Sequence, residues 1–141
     1  MLDGLSAYVR ALTPAACPKP NTRPVTLALR MDDVRRAIAA ARNAALRRDV
    51  AAAKVMTAAA RSELGVIADR FHGPALAADL SAITAAAVDL GRLQARPVLT
   101  AADFAGWPQR LAVLEARLAR HEAQSLFNPV RLAARLKAAG S

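Results

Sequence analysis

Apolar residues recur along this chain at spacings of three and four, the period of a helix. Wound at about 100° per residue, residues 32–48 place Val34, Ile38, Ala41 and Ala45 in one narrow stripe. The stripe continues in nearly the same phase through Met56, Ala60, Leu64, Ile67 and Phe71. One helix over all of this would be about 60 Å long, more than a chain of 141 residues readily accommodates. Asp49 is placed to cap a second helix, so the reading favoured is a helical hairpin that breaks near it, although no glycine or proline marks the turn. Residues 25–30 alternate weakly and read as a lead into the first of these helices.

The sharpest boundary downstream is His72-Gly73-Pro74, where Gly73 can end one helix and Pro74 open the next. Leu76, Leu80, Ile83, Ala87 and Leu90 then make the cleanest stripe in the chain. They predict a fully docked helix ending near Gln94, before Pro97. Thr100 and Asp103 have the spacing of a capping box and start a short turn that holds Phe104. Gly106-Trp107-Pro108 interrupts, and Pro108 opens a helix carrying Leu111, Leu114 and Leu118 to about Gln124. Asn128 and Pro129 begin a last helix with Val130, Leu132 and Leu136 as its apolar positions. At the other end, residues 3–12 make a short candidate helix with Leu5, Val9 and Leu12. Pro14, Pro18, Pro20 and Pro24 turn residues 13–24 into an extended strap. The predicted fold is all-α: an N-terminal helix and proline-rich strap over residues 1–24, and a compact bundle of about five helices over residues 25–141.

Composition strengthens this picture. There are 37 alanines, which explains how a chain can be 55% hydrophobic yet only 4% aromatic; alanine is the best helix former and lets helices pack closely.

Charge adds the functional suggestion. The formal net charge is +9, and of 20 basic residues only Lys19, Lys54 and Lys137 are lysine. Arginine presents a planar fork suited to phosphate and carboxylate. Residues 34–48 hold Arg35, Arg36, Arg42, Arg47 and Arg48 and no acidic residue. Asp32 and Asp33 precede them, Asp32 placed to cap the helix, and Arg47 and Arg48 suit the negative end of its dipole. Arg35, Arg36 and Arg42 have no acid three or four residues ahead, and read as unpaired. No acidic residue follows Glu122, so Arg131, Arg135 and Lys137 make a second basic segment. These eight residues are the candidate nucleic-acid-binding set. The arginine helix contains no aromatic, so its expected contacts are with backbone phosphates, without sequence readout.

Catalytic chemistry has little to stand on. Cys17 is alone, giving neither a disulfide framework nor a cysteine metal site. The histidines, His72 and His121, are far apart; Asp69 and His72 share a helix face, but this reads as a helix-end histidine. Glu115 and Glu122 read as surface partners of Arg110, Arg117 and Arg120. No G-x-S-x-G and no glycine-rich phosphate loop occurs. Phe104, Trp107 and Phe127 sit at helix breaks, where aromatics are core plugs. No catalytic, metal or cofactor-binding residue is expected.

Residues 1–13 lack the basic start and long apolar run of a signal peptide, and no uninterrupted apolar run reaches membrane-spanning length. A cytoplasmic location without a membrane partner is expected. The function expected is that of a non-enzymatic helical accessory subunit of a nucleoprotein assembly. The alternative is a structural or adaptor protein whose partner is an acidic protein. Alanine-rich faces suit either other subunits or a second copy of the chain.

Overall fold

The computed structural model describes residues 25–140; the helix expected at residues 3–12, the strap at 13–24 and Cys17 lie outside the described residues. Five α-helices follow one another: α1 (Leu27–Leu46), α2 (Val50–Ala68), α3 (Ala77–Gln94), α4 (Trp107–Ala119) and α5 (Pro129–Ala139). Single 3-10 turns stand at Pro74–Leu76, Ala101–Phe104 and Glu122–Gln124, and no strand occurs among the described residues. The all-α bundle is the fold the apolar period predicts.

The hairpin reading holds, and the way the chain breaks without glycine is visible. Arg48 takes a left-handed φ of 59°. Its N–H donates to Ala45 O at 3.0 Å, and the Asp49 N–H donates to Ala44 O at 2.9 Å. This pair of bonds is a Schellman closure, with arginine in the position where glycine is usual. Asp49 then caps α2 by accepting from Ala52 N at 3.0 Å. At the next boundary Gly73 has a φ of 104°, the conformation a glycine supplies at least cost, and Pro74 opens the following turn.

Three predicted boundaries move. The second helix stops at Ala68, capped at Asp69, short of Phe71 and of the glycine expected to end it. The first helix begins at Leu27, not at the aspartates, because Thr26 caps it by accepting from Leu29 N at 3.2 Å. Asp32 is therefore an interior residue and caps nothing. The fourth helix stops at Ala119 instead of running to Gln124. Beyond it, His121 and Glu122 turn back on the bundle: the Glu122 carboxylate accepts from Leu27 N at 3.2 Å, across 95 positions of sequence, and helps hold the start of α1.

α1 and α2 pack along more of their length than any other pair, and α3 packs on α2. The seam of α1 is Leu27, Met31, Val34, Ile38, Ala41, Ala44 and Ala45, all buried. Ala53, Ala60, Leu64 and Ile67 answer from α2, so the side chains are smallest near the turn and the two helices can close there. Phe104, Trp107 and Phe127 are buried at the helix breaks, as the sequence suggests, and Phe71 is buried with them.

The third helix departs from the expectation that it is fully docked. Leu76, Ile83, Ala86, Leu90 and Leu93 face the core, but Val88 is exposed and Leu80 only partly covered. The span Pro74–Gln94 is long and apolar enough, by length and composition, to cross a membrane. It also carries the buried Asp79, and one face of it belongs to the core described above. α5 is the least covered element: none of its residues is buried, and Val130 and Leu136 are exposed. Its root is firmly held. Leu126 N donates to Arg70 O at 2.8 Å, Arg70 Nη1 donates to Leu126 O at 3.1 Å, and Phe127 meets Phe71 edge to face at 6.1 Å.

Candidate nucleic-acid interface

The arginines of α1 fall into two groups. Arg35 and Arg36 have acidic partners three residues behind them: Asp32 for Arg35 at 2.7 Å, and Asp33 for Arg36. The expectation that they are unpaired looked only ahead along the helix, and these partners overturn it. Arg35 also bonds Glu115 of α4, so it clamps two helices together. Arg42, Arg47 and Arg48 have no acidic partner among the described residues. They occupy the last turns of α1 and the turn into α2, with their side chains in solvent.

The acidic residues explain this division. Nearly every carboxylate among the described residues is already engaged inside the protein. Glu63 takes Arg30 at 3.3 Å, and Asp89 takes Arg92 and Arg110. Asp103 takes Arg96 and the Thr100 backbone N–H. Asp49 and Glu122 accept from backbone N–H groups. The exception is Asp69, exposed at the far end of α2. The positive excess is thus left over at particular places instead of being averaged over the surface.

Arg61 on α2 and Arg120 at the end of α4 are single exposed arginines without an acidic partner among the described residues, and two groups of basic residues stand apart from them. Arg42, Arg47 and Arg48 lie at the α1–α2 turn, with Lys54 in the first turns of α2. Arg131, Arg135 and Lys137 lie on α5, which springs from the opposite end of the hairpin, beside Arg70 and Phe71. α1 has 20 residues, so the two ends are about 30 Å apart. The eight residues grouped by sequence therefore form one exposed arginine cluster, a second basic segment on α5, and a structural pair.

The acidic partners differ from expectation too. Glu115 serves Arg35, and Glu122 serves the start of α1; neither pairs with Arg110, Arg117 or Arg120. Arg110 instead lies over the Trp107 ring at 4.6 Å and bonds Asp89. Its hydrogen bond, with Arg92 adding to it, holds the Asp89 carboxyl below the ordinary carboxylate range. The Thr100 N–H does the same for Asp103, with Arg96 assisting.

One polar cluster lies outside the candidate residues singled out from the sequence. Asp79, in the first turn of α3, is 2% exposed. Its Oδ1 accepts from Arg117 Nε at 3.0 Å, and its Oδ2 lies 2.7 Å from His121 Nδ1. A carboxylate on a histidine ring can orient it for proton transfer. No hydroxyl or thiol among the described residues bonds the other ring nitrogen, and Arg117 shares the carboxylate. The arrangement satisfies a buried charge between α3 and the end of α4. The signal that could have found it is the placement of Asp79 on the same stripe as Leu76 and Ile83. No group of three or more histidine, cysteine or acidic side chains clusters at metal-binding distance among the described residues.

Compared with protein-family models, with curated proteins and with solved structures, the chain matches none.

Proposed function

We propose that this protein is a non-enzymatic accessory subunit of a nucleoprotein assembly, and that it grips backbone phosphates with Arg42, Arg47 and Arg48. Arg131, Arg135 and Lys137 of α5 supply a second contact, about 30 Å away along the hairpin. The observation that carries the reading is the distribution of partners: the carboxylates are consumed by internal pairs and caps, and the arginines at the α1–α2 turn are not. Exposed guanidinium groups without acidic neighbours attract phosphate, and they read no base sequence unless something reaches a base edge. Phe104, Trp107 and Phe127 are buried, so they offer no stacking platform beside this cluster.

The test is fluorescence anisotropy with labelled single- and double-stranded RNA and DNA, titrated with salt. Three phosphate contacts give a slope of log affinity against log salt of about −3 on duplex DNA, and engagement of α5 roughly doubles it. The triple substitution Arg42→Glu, Arg47→Glu, Arg48→Glu abolishes binding while circular dichroism stays helical. Absence of binding at low salt overturns the reading.

A second reading has its own observation. α5 exposes Val130 at 76% and Leu136 at 63% beside its basic residues. Phosphates have no use for such apolar positions, whereas an acidic protein partner with an apolar groove would cover both. On that reading the protein is a structural adaptor. A pull-down from the native source, lost on Leu136→Asp and retained on the triple α1 substitution, would favour it.

A further inference from the structure

Between the foot of α5 and the segment that joins α2 to α3 lies an open groove of about 420 Å³. Four polar side chains line it: His72, Gln124, Arg131 and Arg135. All four are exposed, and none has a polar partner among the described residues. The rest of the lining is apolar and accessible, with Val130 76% exposed, Ala134 exposed and Leu126 partly so. No acidic residue lines the groove. Glu122, two residues before Gln124, is turned onto Leu27 N instead. The two walls are fastened to each other at their base by the Arg70–Leu126 hydrogen bonds and the Phe71–Phe127 contact.

We infer that this groove receives the terminal phosphate of a nucleic-acid strand, a phosphomonoester, with the sugar that carries it against Val130 and Ala134. The inference rests on the phosphate-binding reading above and names the kind of phosphate that α5 takes. Arg131 and Arg135 are four residues apart on one face of the helix, about 5–6 Å apart at Cβ, so both guanidinium groups reach one phosphoryl group. A phosphomonoester carries a charge of about −1.5 to −2 at neutral pH and three acceptor oxygens, more than a backbone diester has. Two arginines balance that charge, and His72 and Gln124 on the facing wall supply further donors. Arg131 also lies in the first turn of α5, at the positive end of its dipole. A mid-strand phosphate has a nucleoside on both sides, whereas a terminal one has a nucleoside on one side, which one apolar wall covers. Size agrees: a cavity of about 150 Å³ holds benzene, so this groove has room for the phosphate and its sugar.

The test is anisotropy of the full chain with internally labelled single strands of RNA and DNA about 12 nucleotides long, enough at about 3.4 Å per phosphate to bridge the two ends of the hairpin. Each strand is made with a 5′-phosphate, a 3′-phosphate or hydroxyl ends. A hydroxyl-ended strand about two nucleotides longer matches the charge of the phosphorylated ones. The expected result is that a strand phosphorylated at one of its ends binds about tenfold tighter than the charge-matched control, the size of a charge-assisted contact. Ala134→Leu fills the groove without changing charge. It brings this ratio to about one and leaves the affinity for hydroxyl-ended strands unchanged. Arg131→Gln combined with Arg135→Gln erases the ratio as well, and both variants keep a helical circular dichroism spectrum because α5 buries no side chain. Equal binding of phosphorylated and charge-matched strands by the parent chain overturns the inference and leaves the backbone-phosphate reading standing. An acidic protein as the partner of α5 predicts that same equality. A preference that survives Ala134→Leu puts the terminal phosphate elsewhere and overturns the inference too. Absence of binding by every strand at low salt overturns both readings.

Discussion

Arg117 Nε stands 3.0 Å from Asp79 Oδ1, and this bond joins α4 to the one buried carboxylate among the described residues. The two partners are unequal. Asp79 is sealed in the core, whereas the Arg117 side chain is 41% exposed. Removing Arg117 leaves a buried charge facing His121 alone; neutralising Asp79 leaves a cation that water can solvate. Arg117→Met is therefore expected to cost about 2 kcal/mol, and Asp79→Asn about 1 kcal/mol or less. Urea denaturation of the two variants checks the order, and the reverse order would mean that the carboxylate is not the group at risk.

Arg48 occupies a left-handed turn position that costs a side-chain-bearing residue roughly 1 kcal/mol relative to glycine. Arg48→Gly is expected to raise the stability of the hairpin by about that amount and to weaken nucleic-acid binding at the same time. Thermal melting and anisotropy on one preparation read both effects. A variant that gained stability and kept full affinity would remove Arg48 from the interface.

Arg35 and Arg36 look alike in sequence but do different work. Arg35 spans from α1 to Glu115 on α4, while Arg36 pairs only with Asp33 on its own helix and is 75% exposed in its side chain. Arg35→Met should cost about 1 kcal/mol, and Arg36→Met no more than about 0.5 kcal/mol. Equal losses in chemical denaturation would show that the α1–α4 clamp contributes nothing.

Acid should loosen the α3–α4 region. The carboxyls of Asp89 and Asp103 are held below their ordinary value of 3.8 by Arg110 and by the Thr100 N–H respectively. A depressed folded-state value means that the stabilisation is present above the unfolded value and is lost as pH falls through the folded one. The melting temperature should thus be flat from pH 7 to about 4.5 and decline below about pH 4. Asp103→Asn should shrink that decline. A fall concentrated between pH 7 and 5 would point to another group.

Much of this fold can be read from sequence because its punctuation is local. Asp49, Asn128 and the Thr100–Asp103 box each act within a few residues, and each does in the structure what its spacing suggests; Gly73 opens the Pro74 turn but does not end the helix before it, which stops at Ala68. What escaped prediction is contact between distant parts of the chain. Nothing near Glu122 announces that it caps a helix beginning at Leu27, and nothing near Glu115 announces Arg35. The candidate site suffered most from this. An arginine is free only if no acid anywhere reaches it, and that is a property of the packed bundle. Arg42, Arg47 and Arg48 stay unengaged by acids in the described structure, whereas Arg35 and Arg36 do not.

The segment before α5 has a mechanical meaning. Its backbone and ring are fastened to Arg70 and Phe71 by a reciprocal pair of hydrogen bonds and an edge-to-face contact. The helix beyond carries no buried side chain. A partner tugging on α5 therefore delivers its load to the far end of α2, and through the hairpin towards the Arg48 turn. α5 is in effect a handle bolted to the shaft whose other end carries the arginines, so a load applied to it would run along the hairpin.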